Sequence, residues 1–272
     1  MLDVSVLIAT RDRAVLLAQT LSHLARQQLE GLRWEVLVVD NGSRDATSQV
    51  LARAGRHLPL VALAEPKPGK NRALNRSVAA ARGQLLIFAD DDIIAPPHWV
   101  TALCGAAQRW PDDSIFGGQI APLFPAGTPD WLAAPGFAYA GMAFGYYSLP
   151  VPEGPVDVAP FGANLALRRS LFATTCYCEE IGPQDGDYIM GSETELLLRL
   201  QSQGHRFIYV PAARVQHVVQ PHQVTRRFLM KRAVRAGRSR ARFGPQVTRR
   251  QLAGVPWYVW RELITASWSY AW

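Results

Sequence analysis

Hydrophobic and polar positions along the first hundred residues switch between two periods. Short apolar runs at Val4–Ala9, Glu35–Val39, Leu60–Ala64 and Leu85–Ala89 read as buried strands. Between them, Ala14–Gln27 carries Leu17, Leu21 and Leu24 at helical spacing, and Asp45–Ala54 and Asn71–Ala81 are helical in pattern. A further helix is predicted from about Pro97 to Arg109. Strand and helix in alternation predict an α/β fold built on a parallel sheet with helices on both faces, which binds ligands beyond its strand C-termini. The polar residues follow that rule: Thr10-Arg11, Asp40 and Asp90-Asp91-Asp92 each come directly after a strand. After a strand at Ile115–Ile120 the regularity fades, and Pro and Gly are dense up to about Gly191. A helix carrying Leu196, Leu197 and Leu200, a strand at Phe207–Val210 and a basic helical tail complete the chain. The uncharged stretch Trp131–Pro152 is interrupted by Pro135, Gly136, Gly141, Gly145 and Pro150. It is too broken for a spanning helix and is predicted to be loop and short strand lining a pocket, where Trp131 would stack on a ligand or simply pack.

The aspartate triplet changes the picture most. Three carboxylates at the exit of a buried strand repel one another and call for a compensating cation. Hard oxygen donors suit Mg²⁺ or Mn²⁺, which keep coordination positions for water or phosphate. An acidic loop capping the next helix would need only one of the three. Asp40 precedes the turn dipeptide Asn41-Gly42, which leaves its carboxylate at the sheet edge, suited to a nucleobase N–H or a ribose hydroxyl. An Asx-turn, or a cap for the helix near Asp45, accounts for it as well. Lys67, Lys70 and Arg72 cluster at a helix start where backbone N–H groups are free, an arrangement that suits an anion. The segment lacks P-loop spacing, and no Gly-x-Gly-x-x-Gly follows the first strand. Ser192 and Glu195 have the spacing of a capping box, which frees Glu193 to act as a general base. His217 would complete a metal shell if the fold returned it to the aspartates.

Composition adds one asymmetry. The net charge is +7, yet ten basic and no acidic residues lie between Thr225 and Arg250, so the rest of the chain is slightly acidic. This run lacks interleaved aromatics, which disfavours nucleic acid. Trp257, Tyr258, Trp260, Trp268, Tyr270 and Trp272 follow it. Cations followed by Trp and Tyr match the headgroup region of an anionic membrane, through residues 226–272, while a solvated helix with core-packed aromatics fits equally. Cys104, Cys176 and Cys178 are odd in number and lack zinc-site spacing, which favours free thiols in a reducing compartment. The N-terminus enters a strand without a secretory pattern. Together these set the expectation of a cytoplasmic protein at the inner face of the plasma membrane.

With these residues assembled, the sequence resembles bacterial family-2 glycosyltransferases of the GT-A fold over nearly its whole length. Ser5–Arg13 is similar to that family's opening strand and turn, which implies donor contacts from Thr10, Arg11 and Arg13. Val38–Asp45 resembles its nucleotide-binding segment, with Asp40 at the base-recognising position. Gly69–Asn75 is similar to its helix-opening motif near the donor, implicating Lys70, Asn71 and Asn75. Phe88-Ala89-Asp90-Asp91-Asp92 resembles its DXD motif, Asp90 and Asp91 toward the nucleotide and Asp92, with Asp90, on the metal. Gly162–Ala166 resembles the segment lining the sugar pocket, through Asn164, and His217 matches a histidine often near the metal. Gly191–Leu196 is similar to the base motif, with Glu193 where the family commonly has Asp and Glu195 as second candidate.

The resemblance implies an α/β fold with a GT-A domain at 1–220, comprising a nucleotide-sugar-binding half at 1–120 and an acceptor and catalytic half at 121–220. A basic extension at 221–272 would follow. It also implies an inverting, Mn²⁺- or Mg²⁺-dependent hexosyltransferase that takes a UDP-sugar to a glycan or lipid-linked hydroxyl in surface polysaccharide assembly, with no nucleic-acid partner. A nucleotidyltransferase would need a glycine-rich N-terminal loop that Ser5–Arg13 lacks, and a membrane-docked scaffold would not need Asp40, the triplet and Glu193 together.

Overall fold

A computed structural model describes residues 2–29, 31–133, 143–186, 188–243, 251–252 and 255–256. Strands β1 (Leu2–Thr10), β2 (Trp34–Asp40), β3 (Leu60–Ala64) and β4 (Gly83–Ala89) lie parallel in the order β3-β2-β1-β4. They are joined by helices α1 (Ala14–Leu24), α2 (Thr47–Ala54) and α3 (Lys70–Ala80), and α4 (Trp99–Arg109) follows. Helix α1 ends three residues short of the predicted Gln27. That side chain serves instead as a strut, donating to the Pro96 carbonyl and accepting from the Val100 N–H.

The second half adds antiparallel strands to the parallel sheet expected from the first hundred residues. β5 (Ile93–Ile94), β6 (Ile115–Leu123), β7 (Gly154–Val156), β8 (Leu165–Arg168) and β9 (Phe207–Val218) extend the order to β4-β8-β6-β9-β5, with β7 also on β9. β8 runs antiparallel to both β4 and β6, so the sheet is mixed. Strands of two to four residues inside a Pro/Gly-rich stretch carry no readable period, and β5, β7 and β8 escaped the sequence reading for that reason. Helices α5 (Asp130–Ala133), α6 (Ser192–Ser202) and α7 (Arg226–Phe243) complete the main elements.

Alternation along the strands feeds two cores. Val4, Val6, Ile8, Val36, Val38 and Ile87 pack under α1, α2 and α4. Leu7, Leu37, Leu86 and Phe88 face α3 and α6, meeting Leu74, Leu196, Leu197 and Leu200. This is the period-two signature of a sheet covered on both faces.

Two buried polar devices hold the sheet in register. β9 reaches Val218, well past the predicted end at Val210, because its pairing with β6 shifts between Gly118 and Gln119 and the extra residues bulge out. Asn164, fully buried, donates to the carbonyls of Gln119 (2.9 Å) and Ala213 (2.8 Å) there and accepts from Trp99 Nε1 (2.8 Å). A Cβ on Gly118 would lie 2.3 Å from both the Ala213 oxygen and Asn164 Nδ2, so this close approach requires glycine. At the opposite end of the sheet, buried Glu35 accepts from Ser5 Oγ (2.7 Å), the Arg82 N–H (2.7 Å) and the Arg82 guanidinium, tying β1, β2 and the start of β4 together.

Burial alone would raise the Glu35 pKa, but the hydrogen bonds from Arg82 and Ser5 outweigh it and hold the carboxyl below the usual glutamate value. The stabilisation is therefore present above the unfolded glutamate pKa and lost as pH falls through the depressed folded one. Glu35→Ala is expected to lower the unfolding free energy by about 2 kcal/mol in urea titrations. It should also flatten the acid limb of the stability–pH curve; an unchanged acid limb would remove Glu35 from that role.

Candidate active site

The C-terminal ends of the parallel strands open onto a cleft of about 650 Å³. Thr10, Arg11, Arg13, Asn41, Lys70, Asp90, Asp91, Asp92, Glu193 and His217 line it. Topology explains how distant residues meet. β5 leaves the triplet at once and pairs antiparallel with β9, setting Ile93 opposite His217, and the Val218 N–H donates to the Asp92 carbonyl (2.8 Å). His217 Nε2 consequently stands 3.3 Å from Asp92 Oδ1.

Each carboxylate of the triplet has a different partner. Lys70 Nζ donates to Asp90 (2.5 Å), Thr10 Oγ1 donates to Asp91 (2.6 Å), and Arg13 reaches Asp91 (3.3 Å) and hydrogen-bonds Asp92. The cation expected from the sequence is thus supplied in part by the chain itself. Burial pushes Asp91 up to about 6 despite Arg13, with Asp92 adding repulsion. Burial acts the same way on Asp92, but His217 and Arg13 outweigh it and bring that group down to about 2. Burial lowers Lys70 and His217, yet Asp90 with Glu193, and Asp92, respectively, reverse the balance and raise both.

One oxygen each from Asp90 and Asp92 and one His217 nitrogen lie within 4.8 Å of one another. Among the described residues Asp92 Oδ1 and His217 Nδ1 are buried without a hydrogen-bond partner, although His217 Nε2 stands 3.3 Å from that oxygen. An orphaned carboxylate oxygen beside an imidazole and a second carboxylate is a donor set that fits Mn²⁺ or Mg²⁺.

Glu193 sits in the first turn of α6, across the cleft from the triplet and close enough to Lys70 to raise its pKa. No hydrogen bond or ion pair engages its carboxylate among the described residues. A Cβ on Gly162 would lie 3.7 Å from that carboxylate, so the turn before β8 passes directly beside it. The capping box predicted from Ser192 and Glu195 does not form. Gly191 opens the helix in the left-handed region (φ 103°), Ser192 is buried against Gly182, and Glu195 pairs with Arg199 at 3.0 Å. That pairing leaves Glu193 as the acidic residue of the turn that faces the cleft.

Several predicted donor contacts have other work. Asn164 belongs to the β-bulge described above. Asn75 exchanges hydrogen bonds with the Tyr177 backbone, and Asn71, almost fully buried, donates to the Cys178 carbonyl; both pin the segment 177–179 to α3. Arg72 pairs with Glu179 at 2.6 Å and Lys67 is not among the cleft residues, so of the predicted basic trio only Lys70 lines the cleft. Asp40 ends β2 level with Thr10, but its Oδ1 accepts from the Ser43 N–H (2.8 Å), the local-turn alternative left open in the sequence. Arg11 lines the cleft and pairs with Asp185 (2.8 Å). Trp131 lies in α5, its side chain outside the described residues, as are Phe137, Tyr139 and the aromatic end from Trp257 to Trp272.

Sequence reasoning missed the tail's contribution. Phe228 and Arg232, one helical turn apart on α7, line the cleft, as does Tyr188, whose ring lies 4.2 Å beneath the Arg235 guanidinium. Burial lowers the Arg232 pKa against the opposing pull of Tyr188, Glu193 and Asp90. The signal was an aromatic and a cation at i and i+4 on a face otherwise read as solvated.

Comparison with known proteins gives a consistent result. The sequence profile described as "Glycosyl transferase family 2" matches residues 5–170. The O-antigen biosynthesis protein RfbC of Myxococcus xanthus is 32% identical over 236 residues, covering 79% of this chain and 17% of that protein. The chain thus spans a small part of that relative's length. A mannosyltransferase from Pyrobaculum calidifontis, solved with GDP-Man and Mn²⁺, superposes with a TM-score of 0.57 at 19% identity, covering 86% of this chain and 64% of that one. S. aureus TarS 1-349, solved with UDP-GlcNAc, gives 0.57 at 16% identity, covering 86% and 66%. At such identities these likenesses establish the fold.

Asn164→Ala is expected to lower the unfolding free energy by about 3 kcal/mol, since it strands a Trp99 donor and two bulge carbonyls. Nucleotide affinity, measured by calorimetry on the folded variant, should stay within about twofold; a selective loss of that affinity would return Asn164 to the binding site.

Proposed function

The chain belongs to glycosyl transferase family 2, and from that premise we propose that it is an inverting transferase. It would move a sugar from a nucleoside-diphosphate sugar, most consistently a UDP-sugar, to a hydroxyl of a glycan or lipid-linked acceptor. The observation that carries the reading is the pairing of two features across one cleft. Among the described residues, an Asp90–Asp92–His217 donor set retains a buried unsatisfied oxygen, and Glu193, whose carboxylate makes no hydrogen bond, lines the same cleft. The naming of the Myxococcus relative for O-antigen biosynthesis supports surface polysaccharide assembly as the setting.

The chemistry follows from the residues. The acceptor hydroxyl must lose its proton as its oxygen attacks the anomeric carbon, and Glu193 takes that proton. Attack from the face opposite the leaving group inverts the anomeric centre in a single displacement. The departing diphosphate gathers negative charge, and Lys70 and Arg11, both lining the cleft, stabilise it electrostatically. A Mn²⁺ or Mg²⁺ ion held by Asp90, Asp92 and His217 would supply further neutralisation of that charge. In this reading Asp90, which lines the cleft, and Asp40, at the exit of β2, would meet the nucleoside. Glu193 is one methylene longer than the aspartate common in the family, about 1.5 Å, and its carboxylate lies beside Gly162.

The direct test is a panel of UDP- and GDP-sugars with Mn²⁺, scored for release of free nucleotide diphosphate. Glu193→Gln should reduce turnover by about 10³-fold with donor affinity unchanged. Normal turnover in that variant would overturn the assignment of the base. Asp92→Ala should abolish the increment in UDP affinity that Mn²⁺ confers on the wild type, read by titration calorimetry with and without EDTA. An unaltered increment would move the metal elsewhere.

A further inference from the structure

Helix α7 has two faces of different chemistry. Its inner face is fixed on the body: Phe228 and Arg232 line the cleft, and Leu229 packs on the small cluster of Leu132, Phe144 and Val219. Its outer face carries Met230 and Val234, 71% and 57% exposed, continued by Gly237 and Ala241 at helical spacing. Among the described residues, a Cβ on Gly237 would meet nothing within 4 Å, and Ala241 is exposed as well. Arg227, Lys231 and Arg238 flank it on one side and Arg226 and Arg240 on the other, all exposed, and the helix contains no acidic residue.

A narrow apolar stripe between two rows of cations is not what solvent alone requires of an outer face. Such a helix lies flat in the interface of an anionic bilayer, the stripe entering the acyl boundary and the cations meeting phosphate headgroups. Nucleic acid would satisfy the cations but leave Met230 and Val234 in water. We infer that the outer face of α7 is a docking surface for an anionic lipid membrane, and that docking sets the catalytic cleft, bounded by the inner face of the same helix, beside the lipid headgroups. Resting on the function proposed above, this selects an acceptor hydroxyl carried on a membrane-anchored lipid over a freely soluble glycan.

The test uses the full chain and sedimentation with vesicles of phosphatidylglycerol and phosphatidylcholine against vesicles of phosphatidylcholine alone. The wild type should bind the anionic vesicles selectively and less tightly as salt rises. M230E/V234E and R227E/K231E should each weaken that binding at least tenfold, while acceptor-free hydrolysis of the nucleotide sugar continues at the wild-type rate. Equal binding to both vesicle types, wild-type binding by both double variants, or a preference for duplex RNA over anionic vesicles would overturn the proposal. Selective vesicle binding by a wild type that releases no nucleotide from any donor would support docking and refute the enzymatic reading, so the two fail separately.

Discussion

Mutual repulsion among Asp90, Asp91 and Asp92 governs the arrangement of the cleft. Two of the three are nearly fully buried, and such carboxylates persist as charges only beside compensating groups. The chain provides Arg13 from the β1 loop, Lys70 from the start of α3 and His217 from β9, so three separate elements converge on one strand exit. The compensation is incomplete. Asp91 is pushed up to about 6 and one oxygen of Asp92 has no donor. A residual deficit of positive charge in a preformed oxygen- and nitrogen-lined site is the physical condition for binding a hard divalent cation. It is also why Arg13 and Lys70 belong to the site as counter-charges as much as donor contacts.

The second half of the sheet gathers the partners of that site around it. β5 is two residues long, yet its pairing with β9 carries His217 back to the triplet it left. β8, inserted antiparallel between β4 and β6, follows a single turn that brings Gly162 beside the Glu193 carboxylate and Asn164 to the β9 bulge. Gly191 then turns the chain into α6 so that Glu193 faces the triplet while Glu195 is drawn off by Arg199. Buried polar residues such as Asn164 and Glu35 fix the strand registers on which those positions depend.

The legible part of this arrangement was the part with a period. Strands β1 to β4 and their helices could be read because continuous apolar runs and helical leucine spacing are local signals. The triplet and Glu193 were legible because carboxylates at strand exits and helix starts are chemically conspicuous. Asn71, Asn75 and Asn164, expected to meet the donor, hydrogen-bond within the fold instead of lining the cleft, for the converse reason. An amide at a loop edge looks the same in sequence whether it meets a ligand or a neighbouring carbonyl, and only the course of segment 177–179 and the β9 bulge decides. The capping box failed because a left-handed glycine competes with a serine cap, a backbone choice invisible in residue spacing.

The tail shows where composition misleads most. Ten cations in one run invite a reading in terms of charge alone, directed outward. The eight that lie on α7 divide: Arg232 turns inward toward Tyr188, Glu193 and Asp90, while Arg227 and Lys231 flank the exposed stripe. A helix that is simultaneously a wall of the cleft and an amphipathic outer surface couples the two mechanically, since the inner residues fix its orientation for the outer ones. Because Phe228, Leu229 and Arg232 pack toward the body, a surface engaging Met230 and Val234 on the same helix lies next to the cleft. For a transfer reaction that is an advantage independent of affinity, because positioning an acceptor near the donor replaces a search in three dimensions with one along a surface.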